Sequence, residues 1–190
     1  MKSLELSKPH LLIVVGLPGA GKSFFAKQFS ETFGAPYVDY GRYHELTGSQ
    51  HVGDVVATDM LGQLFLTKQT VVIEGRGETK QDRLILAKVA EAKGYKPLYI
   101  WVQTEPQTTI KRVVNAAGAP YTRDEYDMRV EAFVPLDRTE PQIVISGKHT
   151  FASQAKMVLK RLVTPRTTLA APTAPARPIR PLRSGRIIIN

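Results

Sequence analysis

Cysteine is absent from the whole 190-residue chain, which excludes a disulfide framework and any thiolate metal site. Histidine is scarce, with four residues at no zinc-like spacing. Long apolar runs are also missing near the amino terminus. The stretch around Leu11–Val15 is far short of the roughly 20 residues that a membrane span needs, and no small-residue cleavage site follows it. A soluble, cytoplasmic protein is the expectation. Acidic residues are absent as well, but only from one end. Residues 1–140 hold 17 basic and 17 acidic side chains, whereas residues 141–190 hold nine basic ones and no Asp or Glu. The net charge of +9 therefore belongs to the carboxyl-terminal part, which points to an anionic partner there, nucleic acid being the expected one.

At 43% hydrophobic the chain can bury one proper core but hardly two, so one domain with an appendage is expected. His10–Gly16 is continuously apolar rather than alternating, as a central parallel strand is. A glycine-rich turn follows, then a helix ending near Gly34 and a short second strand over 36–39. Val52, Val56, Met60 and Leu64 fall four apart, with Val55, Leu61 and Phe65 beside them, which predicts an amphipathic helix over 52–67. A third strand spans 70–74. Thr79 caps a helix through Leu84, Ile85 and Val89, which stops at Gly94. A fourth strand covers 97–102, and Pro106 opens a helix to about Asn115. Residues 115–122 read as a mobile turn-forming segment before a helix over 123–133, a fifth strand over 143–145 and a last helix over 151–162. Strands alternating with helices give an α/β fold, a doubly wound five-stranded parallel sheet in the order 2-3-1-4-5 with helices on both faces. The domain takes residues 1–163. Residues 164–190, with five prolines, five arginines and few large apolar side chains, read as an extended tail.

Gly16-Leu17-Pro18-Gly19-Ala20-Gly21-Lys22-Ser23 fits the phosphate-loop pattern G-x-x-x-x-G-K-[ST] and lies between a predicted strand and a predicted helix, as that pattern requires. Nucleotide contacts are assigned to Gly16, Pro18, Gly19, Ala20, Gly21, Lys22, Ser23 and Phe24. The loop amides and the helix start face the phosphates, Lys22 reaches the terminal oxygens, and the Ser23 hydroxyl ligates Mg²⁺. ATP and Mg²⁺ are the expected cofactors. Glu74, at the carboxyl end of the third strand, either holds the metal through water or caps the Gly75-Arg76-Gly77 turn. Asp39 and Arg42 follow the second strand. One reading makes them a general base and an anchor for an anionic acceptor, the other a turn with a solvated arginine. Arg112, Arg123, Arg129 and Arg138 flank the 115–122 segment, and Arg112 is chosen as the lid arginine that stabilises charge on the transferring group.

With these residues the chain resembles the polynucleotide-kinase-like and zeta-toxin-like group of P-loop kinases over residues 10–163. The resemblance rests on GLPGAGKS, the Asp39-x-x-Arg42 pair, the VVIEG strand, Lys80-Gln81-Asp82-Arg83, KPLYIWVQTEP, the lid helix at Ile110–Arg112 and the strand that follows Glu140 and Pro141. It implies ATP-dependent phosphoryl transfer to a hydroxyl. Lys22, Asp39, Arg42 and Arg112 would be the catalytic set, Ser23 and Glu74 the metal side, and a nucleic-acid hydroxyl the acceptor. Two departures from the group stand out. Glu74 replaces the more usual Asp, and no second arginine follows closely after Arg112. A small-molecule or toxin-like kinase shares the scaffold. Outside enzymes, a nucleotide-dependent binding module is the alternative, with Pro178-Ile179-Arg180-Pro181 as a minimal P-x-x-P ligand.

Overall fold

A computed structural model describes Leu6 and residues 8–163; the predicted tail over 164–190 lies outside the described residues. The elements run β1 (His10–Val15), α1 (Lys22–Phe33), β2 (Tyr37–Asp39), α2 (Tyr40–Thr47), α3 (Gln50–Leu66), β3 (Val71–Glu74), α4 (Lys80–Ala92), β4 (Lys96–Gln103), α5 (Pro106–Val113), α6 (Arg123–Ala132), β5 (Gln142–Ser146) and α7 (Phe151–Val163). The strands form one sheet in the order β2-β3-β1-β4-β5, and every pairing is parallel. This is the expected P-loop topology.

Strand β1 is buried at every position because helices cover both faces of the sheet. Leu11, Ile13 and Val15 face the cluster beneath α3 and α4, which includes Leu61, Phe65 and Leu86. Leu12 and Val14 face the opposite cluster with Phe25, Phe29 and Val158 of α1 and α7. Each such side chain, fully withdrawn from water, stabilises the fold by about 1.5–3 kcal/mol. The central strand is thus clamped from both sides, and the loop that leaves its end starts from a rigid base.

Three local readings need correction. The segment after Asp39 is helical. Asp39 is the N-cap of α2, its side chain accepting the Arg42 N–H, and Gly48 closes the helix in a left-handed conformation. Helix α3 is amphipathic as expected, but its buried stripe is Gly53, Ala57, Leu61 and Phe65, while Val52, Val55, Val56 and Met60 are exposed. Gly53 sets that rotation. A Cβ there would lie 2.7 Å from both Cδ2 and the backbone nitrogen of His44, so glycine is what allows α2 to rest on α3. Helix α4 likewise starts at the Thr79 cap, but it buries Arg83, Leu86 and Ala90 and leaves Leu84, Ile85 and Val89 exposed.

Candidate functional site

The end of β1 turns at Gly16 with φ +144°, and a Cβ there would fall 2.4 Å from the Val102 carbonyl oxygen on β4. No other residue fits. The loop then enters α1 through Gly21, which is left-handed, and no side chain caps the helix. The first-turn N–H groups, those of Lys22, Ser23 and Phe24, are therefore donors without a side-chain partner at the positive end of a helix, the arrangement that binds phosphate. Neighbouring strands fix the loop from behind. The Thr104 hydroxyl after β4 donates to the Ala20 carbonyl at 2.9 Å. Gly147 after β5 passes so near that a Cβ would sit 1.9 Å from the same oxygen.

Lys22 Nζ donates to the carbonyls of Gly16 at 2.8 Å and Leu17 at 3.1 Å. Burial lowers its pKa, and the carboxylates of Glu74, Glu78 and Asp39 oppose that effect. A buried ammonium among acceptors of its own loop is a point charge ready to exchange them for phosphate oxygens.

Glu74 is buried at the end of β3, in register beside Asp39 at the end of β2. The Tyr37 hydroxyl donates to Glu74 Oε1, and Oε2 is buried without a partner. Burial raises the Glu74 pKa, and the Tyr37 hydroxyl bond, with the Ser23 hydroxyl nearby, works against that rise. The partnered oxygen thus goes to Tyr37, across to β2. An oxygen-only donor set, with one orphaned carboxylate oxygen near the Ser23 hydroxyl, suits Mg²⁺, which takes few protein ligands and keeps several waters. Among the described residues no cluster of three His, Cys, Asp or Glu could hold a metal by itself. A cation here would share its shell with the nucleotide.

Asp39 both caps α2 and faces a cleft of about 740 Å³ that also contains Lys22, Ser23, Arg42, His44 and Arg129. Its Oδ1 accepts the Arg42 N–H at 3.2 Å, so the carboxylate that caps the helix also lines the cleft. His44 Nε2 is tied to Asp54 Oδ1 at 2.8 Å.

A second cleft of about 580 Å³ shares Pro18, Lys22, Ser23 and Tyr121 with the first. Gly19, Phe24 and Arg112 complete its lining on the loop side. The Phe24 side chain is 57% exposed, so only its backbone N–H faces the loop as a possible phosphate donor. Arg112 Nη1 donates to the Gly19 carbonyl at 3.0 Å, which places it over the loop. Of the other three arginines, Arg129 stacks on the Tyr121 ring at 4.4 Å and lines the larger cleft. Arg123 is paired with Asp127 on α6 at 2.7 Å, and neither it nor Arg138 lines either cleft. Arg112 and Arg129 thus line different clefts, which share Tyr121.

Sequence reading gave Arg83 no role. Its guanidinium is fully buried, bonded to Glu140 Oε1 at 2.6 Å and Oε2 at 3.2 Å. It also donates to the carbonyls of Gly77, Glu78, Val134 and Pro135. It therefore ties the loop that carries Glu78, a residue of the acidic group around Lys22, to the chain leaving α6. The available signal was its place on the 83, 86, 90 stripe of α4.

No protein-family model and no curated protein matches the chain. Solved structures do. An unliganded sugar kinase from Janibacter sp. HTCC2649 superposes with a TM-score of 0.62 at 13% identity, over 81% of this chain and 94% of that one. A gluconokinase from Sinorhizobium meliloti 1021 gives 0.61 at 16% identity, over 81% and 91%. The chain shares the P-loop kinase fold with them. Among the described residues no helix is long and apolar enough to cross a membrane.

Proposed function

We propose that this protein transfers the γ-phosphoryl group of ATP to a hydroxyl of a small, polar, anionic acceptor. The observation that carries this reading is the joining of two clefts across the phosphate loop. Lys22, Ser23 and the start of α1 lie between them, with Arg112 on one side and Asp39 with Arg42 on the other. Phosphoryl transfer needs positioning and charge neutralisation more than covalent chemistry from the protein. Lys22 and the α1 amides bind the phosphates. Asp39 takes the proton of the attacking hydroxyl, and Arg42, which has no side-chain partner among the described residues, anchors the acceptor's anionic group. Arg112, joined by Arg129, neutralises charge as the lid closes. Ser23 and, through water, Glu74 would hold a Mg²⁺ that arrives with the nucleotide, and the ion would supply charge neutralisation at the phosphates. His44, Glu45 and Gln50 on the acceptor wall suit a hydroxylated compound, and two fold neighbours are a sugar kinase and a gluconokinase.

A polynucleotide 5′-hydroxyl is the second reading, in keeping with the polynucleotide-kinase-like resemblance. It is favoured by the basic, acid-free segment over 141–190, most of whose arginines lie outside the described residues. Incubation with γ-labelled ATP and Mg²⁺ against sugars, sugar acids, nucleosides and 5′-hydroxyl oligonucleotides separates the two. Label on a small acceptor supports the first reading, and label on oligonucleotides alone replaces it with the second. Absence of both transfer and MgATP binding would overturn the kinase assignment.

A further inference from the structure

Tyr37 belongs to neither the phosphate cradle nor the acceptor anchor, yet it sits between the two carboxylates on which the site depends. It lies on β2 two residues before Asp39, opposite Val72, while Asp39 lies opposite Glu74. Residues two apart on a strand share a face, and the long phenol spans the diagonal to the neighbouring strand. Its hydroxyl donates to Glu74 Oε1.

Glu74 Oε2, the other oxygen, is buried and unpartnered. A buried carboxylate normally satisfies both oxygens, and an orphan is costly unless something outside the protein completes it. Oε1 is thus tied to β2, Oε2 has no partner among the described residues, and Ser23 lies near enough to act on the same carboxyl. The phenol is a neutral donor, and its one proton goes to Glu74.

We infer that Tyr37 is a positioning residue of this site: by fixing Glu74 Oε1 it aims Oε2 at the hydration shell of the nucleotide-bound divalent cation and leaves Asp39 available as the base. This rests on the nucleotide-site reading above. The decisive measurement is calorimetric titration of ATP into the full chain, with and without Mg²⁺, for wild type, Tyr37→Phe, Glu74→Gln and the double variant. Tyr37→Phe should reduce the Mg²⁺-linked gain in ATP affinity by about tenfold or more, as loss of an outer-shell partner does, and leave Mg²⁺-free ATP affinity unchanged. Glu74→Gln alone should give a similar loss, and adding Tyr37→Phe to it should cost nothing further, because one residue acts through the other. A wild-type Mg²⁺ gain in Tyr37→Phe, or a loss that persists in the Glu74→Gln background, overturns the inference. Absence of any Mg²⁺-linked gain in wild type instead overturns the nucleotide site itself.

Discussion

Replacing Arg83 by methionine tests whether the fold around the site hangs on one buried cation. The guanidinium is inaccessible to solvent and its partner Glu140 nearly so, with side-chain exposures of 0% and 9%. Methionine fills similar volume but leaves Glu140 as a buried charge without a counterion. It also leaves the carbonyls of Gly77, Glu78, Val134 and Pro135 without their donor. Breaking a buried pair from one side costs about 3–5 kcal/mol. For a protein of this size each kcal/mol moves the melting point by roughly 2–4 °C, so the variant should melt roughly 6–20 °C lower. Differential scanning calorimetry of wild type and Arg83→Met is the assay. Glu140→Gln should fall between them, because glutamine keeps an acceptor for Arg83 but removes the charge. The same variant frees the loop of Glu78, so ATP affinity should weaken even at temperatures where the protein is folded. A melting point within about 2 °C of wild type would refute the reasoning, since no desolvated, multiply bonded cation could then be removed so cheaply.

Lys22→Ala should fold normally and lose the MgATP-induced rise in melting temperature, since its ammonium faces the loop and not the core. Asp39→Asn should retain ATP binding while transfer slows by roughly 10² or more, as seen by single-turnover kinetics; wild-type transfer would leave Asp39 as a helix cap only. Stability of the unliganded protein should fall as pH rises from the ordinary carboxylate range through the raised pKa of Glu74. In that window the folded state holds the proton and the unfolded state has released it, so unfolding is favoured by raising pH. Urea midpoints against pH should show the slope, and Glu74→Gln should flatten it. Ending the chain at Val163 keeps every strand and helix described, so the melting point and ATP affinity should stay close to wild type. If the removed arginines contact nucleic acid, the intact chain should show the steeper loss of oligonucleotide affinity with salt, by up to about 0.7–0.9 in log–log slope per contact.

The phosphate loop was legible because its chemistry is local. Gly16, Gly21, Lys22 and Ser23 must follow one another at fixed spacing between a buried strand and a helix, and each piece carries its own periodic or conformational signature. The sheet order followed for a similar reason, since five apolar strands separated by helices admit few right-handed parallel arrangements. Even Asp39, Arg42, Glu74 and Arg112 were within reach, because strand ends in such a sheet converge on the loop. Rotation of helices about their axes was not legible. In α3 the three valines stay exposed and the buried stripe goes to Gly53 and Ala57, because α2 packs closest where no side chain intervenes. In α4 an arginine takes a core position since Glu140, 57 residues away, and the carbonyls of the loop and the chain leaving α6 close around it. The sequence by itself determined where the phosphate-loop pattern lies and which residues it contains. Only the tertiary structure decided which distant side chains hold them there, Tyr37 on Glu74, Arg129 on Tyr121 and Arg83 on Glu140, because such contacts depend on how separate elements pack and leave no periodic trace in the chain.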